Sequence, residues 1–263
     1  MTEASRRLQD KAAVITGAGK GIGRAIALRL ASEGAAVVLA GRHQADLDAV
    51  AHEVQGRGGR AVPCVADVSD EEQVQRLASR ARASFGLVDI LVNNAGIAGP
   101  TGPAATLKRS DWDQVLGVNL TGALLCCQAV LPGMIERRAG RIVNISSVAG
   151  KRAYALRSAY AVSKWGLIGL TLTLAQELGP YGVQVNAICP GPVAGERMGN
   201  VIRQRAQQAG RPVEEIERTY LEATALKRFV PPEEVAALVA FLASPEADNI
   251  TGQAIDVSAG HGL

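Results

Sequence analysis

Residues 12–23, AAVITGAGKGIG, place a short apolar strand directly before a glycine-rich turn and the first residues of a helix. Gly17, Gly21 and Gly23 form a GxxxGxG pattern within that turn. Glycines let the backbone turn tightly there, and the free N–H groups and dipole of a helix N-terminus attract phosphate. A glycine cluster alone also fits a purely structural turn. Its place in the first strand–helix unit favours a nucleotide site.

Short apolar runs alternate with longer stretches of helical period along the rest of the chain. Strands are predicted at 12–16, 35–40, 61–66, 88–94, 141–146 and 183–189. Helices are predicted at 21–33, 46–55, 70–84, 110–137 and 157–178. Nearly continuous apolar strands separated by helices are typical of a parallel sheet that is covered on both faces. With right-handed crossovers, the predicted fold is α/β, a Rossmann-type doubly wound parallel sheet with helices on both faces.

No change of composition marks a linker, so residues 1–263 are expected to form one domain. Residues 191–230 are the one irregular region, polar and rich in arginine but mostly helical in pattern. An insertion after the carboxyl end of a strand is where α/β enzymes place a substrate lid. A surface excursion used for subunit contacts is the alternative.

Composition narrows the possible functions. Apolar residues make up 48% and charged residues 20%, which is typical of a globular chain rather than a disordered one. Aromatic residues make up only 3% and the net charge is +3, so we expect no nucleic acid and no membrane as partners. The three histidines and four cysteines form no CxxC or HExxH arrangement, so no metal site is expected.

Further features bear on the compartment. The four cysteines, Cys64, Cys126, Cys127 and Cys189, lie in apolar stretches and are expected to be buried free thiols in a reducing compartment. The N-terminal segment MTEASRRLQDK lacks the apolar region of a secretory signal. We also expect no apolar stretch long enough to span a membrane. The chain is therefore predicted to be cytoplasmic.

The end of the second predicted strand bears on the choice of dinucleotide. This strand commonly ends in an acidic residue that binds the ribose 2′-OH of NAD, but here it ends Ala40-Gly41-Arg42. A guanidinium suits the 2′-phosphate of NADP, and Lys20 in the glycine turn could add a second positive charge. Taken alone, each cation is also typical of a solvated side chain on the protein surface. Together they favour NADP(H), with NAD(H) as the alternative.

Tyr160 and Lys164 are four residues apart at the start of a predicted helix, so their side chains share one face. A tyrosine in water gives up its proton only near pH 10, and a neighbouring ammonium favours the phenolate. Such a pair could serve in proton transfer. Because the spacing is common, an amphipathic surface pair is the alternative.

With the surrounding motifs, the chain resembles the classical short-chain dehydrogenase/reductase family from Lys11 to about Gly260. The motifs occur in the family's order and with similar spacing, including a serine thirteen residues before the tyrosine. They are Thr16 to Gly23, Asp67-Val68, Asn93-Asn94-Ala95-Gly96, Asn119, Ser147, Tyr160-Ala-Val-Ser-Lys164 and Pro190-Gly191.

The resemblance implies a role for each motif residue. Tyr160 would give or take the proton on the substrate oxygen, Ser147 would hold that oxygen, and Lys164 would assist Tyr160 and bind the nicotinamide ribose. Asn119 would hold a water that extends the proton relay from Lys164. The residues expected to contact the cofactor are Gly17, Gly19, Lys20, Gly21, Ile22, Gly23, Arg42, Asp67, Val68, Asn93, Ala95, Gly96, Tyr160, Lys164, Pro190, Gly191 and Val193.

Two positions depart from the family pattern. The family commonly has a threonine where this chain has Gly195, so backbone groups from Pro190 to Val193, or another lid residue, must hold the nicotinamide. The family's C-terminal Val-Asp-Gly-Gly reads Val-Ser-Ala-Gly at 257–260. This second change bears on the C-terminal subunit contact, and neither change touches the proton-transfer residues.

The resemblance therefore predicts an enzyme, an oxidoreductase that transfers hydride between NADP(H) and a ketone or secondary alcohol. An NAD-dependent secondary alcohol dehydrogenase and a catalytically silent dinucleotide-binding regulator are the alternatives. The partner is a small-molecule carbonyl or alcohol substrate, and the resemblance suggests a homotetramer. An acidic group on the substrate is compatible with five arginines near the site, although solvated basic helices are the alternative explanation for Arg152, Arg157, Arg197, Arg203 and Arg205.

Overall fold

A computed structural model describes residues 6–263 of the chain. The prediction that the N-terminal segment holds no secretory signal falls partly on residues 1–5, which lie outside the described range. The strands are β1 (Ala12–Thr16), β2 (Ala36–Gly41), β3 (Arg60–Val65), β4 (Ile90–Asn93), β5 (Gly140–Ile145), β6 (Val183–Pro190) and β7 (Ala254–Val257). They form one seven-stranded sheet in the order β3-β2-β1-β4-β5-β6-β7, and every neighbouring pair is parallel.

Nine α-helices are described among residues 6–263. They are α1 (Gly21–Ser32), α2 (Gln44–Gly56), α3 (Glu71–Phe85), α4 (Arg109–Leu116), α5 (Gly122–Arg137), α6 (Ser158–Leu178), α7 (Glu196–Ala209), α8 (Val213–Glu222) and α9 (Pro232–Ala243). The strand order reverses between β1 and β4, so the carboxyl ends of these two strands open a crevice at the point where dinucleotides bind in doubly wound sheets.

Alternating strand residues form two apolar layers, one on each face of the sheet. Ile15 packs with α1, α2 and α9, whereas its neighbour Val14 packs with α3, α5 and the end of α6. The same alternation on β2 sends Leu39 to the first layer and Val38 to the second. Helices therefore cover both faces of the sheet, and the predicted fold class is confirmed.

The structure differs from the predicted elements at several places. The sequence analysis missed β7 and α9, and β7 is a short, half-exposed edge strand whose residues lack a continuous apolar run. The predicted strand 88–94 is shorter because the Asn94 N–H turns to the Thr16 side chain. The predicted helix 110–137 contains a π-helical turn at Gly117–Thr121 between α4 and α5.

One expectation about apolar stretches needs correction. By length and composition the continuous helical segment Arg109–Arg137 could cross a membrane. In the fold, however, one side of this segment packs against the sheet, with Cys126, Cys127 and Met134 buried in the second apolar layer. A helix that packs in a protein core can be as long and as apolar as a membrane-spanning helix, and this segment is an example.

Candidate active site

The glycine turn presents an uncapped helix N-terminus to the crevice. Helix α1 begins at Gly21, and the preceding residue Lys20 makes no side-chain hydrogen bond to the first-turn N–H groups. A Cβ built on Gly21 would meet no atom within 4 Å, so there is open space at this position. Unsatisfied N–H groups beside open space are what a pyrophosphate requires. The turn therefore fits the phosphate part of a dinucleotide.

Asn94, which the sequence analysis did not include among the site residues, holds this turn in place. Its Nδ2 donates to the carbonyl oxygens of Thr16 at 2.8 Å and Gly17 at 3.1 Å. The backbone N–H groups of Asn94 and Ala95 both donate to Thr16 Oγ1 at 3.0 Å. The end of β4 is thus tied to the turn after β1. The Asn-Asn-Ala-Gly motif was the available signal, although it did not say which asparagine faces the turn.

Asn93 points the other way. Its Nδ2 donates to Asn144 Oδ1 at 2.9 Å inside the core, where the two residues are also register partners on β4 and β5. Asn93 lines neither of the two cavities described next, whereas Asn94, Ala95 and Gly96 line one or both. The structure therefore places Asn93 in the support of the sheet, away from the crevice.

Two adjoining cavities occupy the carboxyl edge of the sheet. The larger, of about 670 Å³, holds most of the predicted site residues, and the smaller has about 330 Å³. Predicted residues that line the larger cavity include Ile22, Gly23, Ser147, Tyr160, Lys164, Pro190, Gly191 and Val193. Predicted residues that line only the smaller cavity are Arg42, Asp67 and Val68. Both cavities are lined by Gly17, Gly19, Lys20, Ala95 and Gly96.

The two cations predicted to select NADP stand in different surroundings. Lys20 Nζ lies 3.2 Å from Asp46 Oδ2, so a carboxylate already balances its charge. Arg42 lines the smaller cavity, is exposed and has no ion-pair partner among residues 6–263. Asp46, 26 positions from Lys20, was not part of the predicted site. Arg42 is consequently the uncompensated cation of the pair.

Lys164 is buried directly beneath Tyr160 in the larger cavity. Its Nζ lies 5.9 Å from the centre of the Tyr160 ring and donates to the Ile145 carbonyl oxygen at 2.8 Å. Burial, together with the positive charge of Arg197, lowers the pKa of Lys164 to about 7. The ammonium can therefore lose and regain its proton near neutral pH.

The polar residues after β5 hold the site from the opposite side. Ser147 is buried, lines the same cavity, and its Oγ accepts a hydrogen bond from the Ala149 N–H at 3.1 Å. Ser146 lines the cavity too, but it donates its Oγ hydrogen to the Lys164 carbonyl oxygen at 2.9 Å. Ser146 thereby fixes helix α6 against β5, while Ser147 keeps a hydroxyl hydrogen available to a ligand.

Asn119 sits in the π-helical turn between α4 and α5 and is fully buried. Its Oδ1 accepts from the Ile97 N–H at 2.7 Å, and its Nδ2 donates to the Ile97 carbonyl and to Ser163 Oγ, each at 3.0 Å. Ser163 in turn donates to the Tyr160 carbonyl oxygen at 2.8 Å. Asn119 thus links the loop after β4 to the start of α6, and both Nδ2 hydrogens are occupied.

The outer end of the larger cavity is formed by residues that motif reasoning did not identify. Tyr154, Tyr220 from α8 and the C-terminal His261 line it. Arg157, for which a solvated surface position was one explanation, is only 3% exposed and also lines the cavity. No local pattern marks these residues, because they come together from separate parts of the chain.

Comparison with known proteins agrees with this geometry. The family model for short chain dehydrogenases matches residues 11–206. The chain belongs to the short chain dehydrogenase family. The 3-oxoacyl-(acyl-carrier-protein) reductase FabG of Thermotoga maritima is 39% identical to this dehydrogenase over 254 residues, which cover 97% of the dehydrogenase and 98% of FabG.

Two solved structures share the fold over nearly the whole chain. An actinorhodin polyketide ketoreductase with NADPH has a TM-score of 0.92 at 37% identity, covering 96% of this dehydrogenase and 97% of the ketoreductase. An NAD⁺-bound xylitol dehydrogenase has a TM-score of 0.93 at 32% identity, covering 96% and 99%. This dehydrogenase is accordingly an enzyme, an NAD(P)-dependent oxidoreductase that acts on CH–OH groups.

Proposed function

We propose that this dehydrogenase interconverts a ketone and a secondary alcohol with NADP(H), and that Tyr160 exchanges the proton on the substrate oxygen. The observation that carries the proposal is the burial of Lys164 beneath Tyr160, in a cavity that also contains Ser147 and the uncapped glycine turn. A nicotinamide cofactor bound there supplies or accepts the hydride. The protein residues then position the substrate and move one proton.

Each of the three residues has a distinct task in this proposal. Ser147 donates a hydrogen bond to the substrate oxygen and so holds it beside Tyr160. Tyr160 protonates that oxygen during reduction and removes the proton during oxidation. Lys164 favours the phenolate by its charge, and because its pKa is about 7 it can pass on the proton that Tyr160 must recover.

The relay beyond Lys164 requires a modified role for Asn119. Its amide hydrogens are occupied by Ile97 and Ser163, so the amide cannot donate to a water. We propose that Asn119 acts by fixing the π-helical turn, and that a relay water binds through acceptor groups of that turn. π-helical turns often occur at functional sites, because they rearrange the backbone hydrogen bonds.

Substitution of the tyrosine tests the proton transfer. We expect Tyr160→Phe to lower kcat about 100-fold to 10,000-fold, the range of general acid–base catalysis, while the Kd for NADPH changes little. Tyr181→Phe, an exposed tyrosine after α6, is the matched control and should leave kcat unchanged. Near-normal turnover of Tyr160→Phe on ketones would contradict the proposal.

The preference for NADP(H) is a separate proposal and rests on Arg42. Because its guanidinium lines the adenosine end of the crevice without a carboxylate partner among residues 6–263, it suits a 2′-phosphate. The Lys20–Asp46 ion pair keeps the NAD-dependent alternative open, since Asp46 offsets the second charge. Xylitol dehydrogenase, one of the similar structures, is NAD⁺-bound.

Paired titrations with NADPH and NADH decide between these cofactors. A charge-assisted hydrogen bond contributes about 1.5–3 kcal/mol, and exposure of Arg42 favours the lower end. Arg42→Ala should therefore raise the Kd for NADPH roughly tenfold and leave the Kd for NADH within about twofold. Arg57→Ala, an exposed arginine paired with Glu53, serves as the control. Equal losses for both cofactors would remove the 2′-phosphate assignment.

We further propose one domain with residues 191–230 as substrate lid, and assembly into a homo-oligomer in the cytoplasm. The lid assignment is supported by residues of α7 and α8 that line the cavity, including Met198 and Tyr220. Assembly is supported by Val162, Trp165 and Leu172, which are 44%, 51% and 50% exposed on one face of α6. Trp165→Glu should lower the molar mass measured by light scattering, and an unchanged mass would contradict this interface.

A further inference from the structure

Arg157 is a buried cation with most of its hydrogen-bonding capacity unused. Its Nη1 donates to Thr101 Oγ1 at 2.8 Å. Its Nε is buried and has no hydrogen-bond partner in the described part of the chain. A guanidinium carries five N–H donors, and burial of a charge is costly unless an opposite charge or several acceptors compensate. Residues 6–263 therefore supply no anionic partner for this side chain.

The backbone directs this side chain into the cavity. Leu156, immediately before it, has φ of +64°, a left-handed conformation that is uncommon for a bulky residue. The Leu156 carbonyl oxygen accepts a hydrogen bond from the Gly102 N–H at 2.9 Å, so the loop after β4 holds this conformation. Strained positions of this kind cluster at functional sites. The fold thus stabilises an inward-facing Arg157 despite local strain.

The surroundings of Arg157 are aromatic and positively charged. Its Cζ lies 5.3 Å from the centre of the Tyr160 ring. A second guanidinium, that of Arg205, lies 5.1 Å from the Tyr154 ring and 5.3 Å from the Tyr220 ring, and its Nε is likewise buried without a partner within 6–263. The aromatic rings stabilise both cations by cation–π contacts, which use none of their N–H donors.

Within residues 6–263, carboxylates that could neutralise Arg157 are absent from its side of the cavity. Among the described residues lining the larger cavity, Glu196 is the only Asp or Glu, and it is exposed at the start of α7. No ion pair joins Glu196 to Arg157 or Arg205 in the part of the chain that the structure describes. A negatively charged group on a ligand would supply the missing compensation.

We propose that Arg157, supported by Arg205, binds a carboxylate of the substrate, so that the substrate is a keto acid or the corresponding hydroxy acid. The proposal rests on the function proposed above, because it assigns a substrate class to the same site. The phosphates of the cofactor do not account for the unpaired positive charge of Arg157. The phosphate-binding turn begins α1, whereas Arg157 lies against the Tyr160 ring and lines only the larger cavity.

Matched keto acids and esters provide the test in the wild-type enzyme. We would measure kcat/KM for 2-oxopentanoate, 3-oxobutanoate and 4-oxopentanoate, each against its methyl ester, which keeps the carbonyl but removes the charge. We expect at least one acid to be preferred over its ester by about tenfold or more, the range of a charge-assisted hydrogen bond. If every ester is used as well as its acid, the carboxylate site is refuted while the proposed function stands.

Arg157→Gln separates recognition of the anion from positioning of Tyr160. Glutamine can still donate to Thr101 Oγ1, so the fold should be retained. The variant should lose the preference for the acid, because KM rises more for the acid than for its ester. Arg203→Gln, an exposed arginine on the same lid helix as Arg205, is the control and should keep the preference. Equal losses on acid and ester would mean that Arg157 only positions Tyr160, which overturns the proposal.

A binding measurement is independent of turnover. Pentanoate, which has a carboxylate and no carbonyl to reduce, should raise the melting temperature of the NADPH complex more than pentanamide does. Arg157→Gln should abolish this difference, and Arg203→Gln should preserve it. No difference between pentanoate and pentanamide in the wild-type complex would refute the carboxylate site. Protection by pentanoate without turnover of any ketone would support that site and refute the proposed function instead.

Discussion

The contact between Gly23 and the turn around Gly17 gives the sharpest test of how the sequence builds this site. A Cβ on residue 23 would overlap the Gly17 carbonyl oxygen and lie 2.6 Å from Asn94 Nδ2 and 2.8 Å from the Gly17 carbonyl carbon. Carbon atoms in normal contact are about 3.5–4.0 Å from such neighbours. In Gly23→Ala the turn and the helix must therefore separate by about 1 Å.

The cost of this movement follows from what surrounds it. The atoms of Gly17 are backbone, and Asn94 is fixed by its hydrogen bonds to Thr16 and Gly17, so none can rotate away. Overpacking of this kind typically costs about 1–3 kcal/mol, against a gain of up to about 1 kcal/mol in helix propensity. Each kcal/mol shifts the melting temperature of a chain of this size by roughly 2–4 °C. The larger effect should fall on the cofactor, since a 1 Å displacement at a binding site can cost about 100-fold.

Two measurements on Gly23→Ala, thermal unfolding and titration with NADPH, check these magnitudes. We expect a lower melting temperature and a Kd for NADPH raised by about tenfold or more. Gly56→Ala is the matched control, because a Cβ there at the exposed end of α2 meets no atom within 4 Å. The control should bind NADPH normally and be equally stable or slightly more so. If Gly23→Ala left both the melting temperature and the Kd for NADPH unchanged, the close contact of Gly23 with the glycine turn would be refuted.

Three further predictions concern buried polar groups. Lys164 has a pKa of about 7 in the fold against 10.5 ordinarily, so between these pH values the unfolded chain binds more protons and the stability contributed by this group rises with pH. The free energy of unfolding of the wild type relative to Lys164→Met, measured in urea, should therefore rise by up to about 1.4 kcal/mol per pH unit above pH 7, and parallel curves would contradict this. Asn119→Leu leaves the partly buried N–H and carbonyl of Ile97 without partners and should cost about 1–3 kcal/mol in urea unfolding. An unchanged free energy of unfolding would refute the role of these bonds. Burial raises the pKa of Cys126 and of Cys127 to about 12, so iodoacetamide at pH 8 should label both only after unfolding, as judged by mass spectrometry; labelling in the native enzyme would mean that this core opens.

The proposals also connect the two ends of the crevice. If Arg157 holds a carboxylate, the reacting carbonyl is drawn toward Tyr160, since the guanidinium lies against the ring of that tyrosine. Leu156 and Gly102 then contribute to specificity without touching the substrate, because they fix the direction of the arginine. Exchange of a few residues in this loop would be expected to change the substrate class while leaving the proton-transfer residues intact.

Local sequence was sufficient wherever chemistry and periodicity act over a few residues. Nearly continuous apolar runs between stretches of helical period identified the inner strands, since a parallel sheet that is covered on both faces buries successive residues of each strand. The glycine turn between β1 and α1 and the Tyr160–Lys164 pair were likewise visible, because each is a short segment whose geometry is set by backbone conformation or helical spacing. The resemblance to the dehydrogenase family extended this information to Ser147 and Asn119.

Tertiary structure decided what depends on groups far apart in the chain. Asn93 and Asn94 are adjacent residues of the same type, yet their hydrogen bonds differ because the strand ends between them. Asn93 donates to Asn144 in the core, whereas Asn94 donates to the glycine turn. Lys20 is paired with a carboxylate from α2, which no local pattern predicts. The burial of Arg157 likewise depends on the loop after β4, where Thr101, 56 positions earlier in the chain, accepts its hydrogen bond. Local patterns determine which chemical groups the chain carries, whereas long-range packing determines which of those groups lose water and gain partners, and therefore which of them can act.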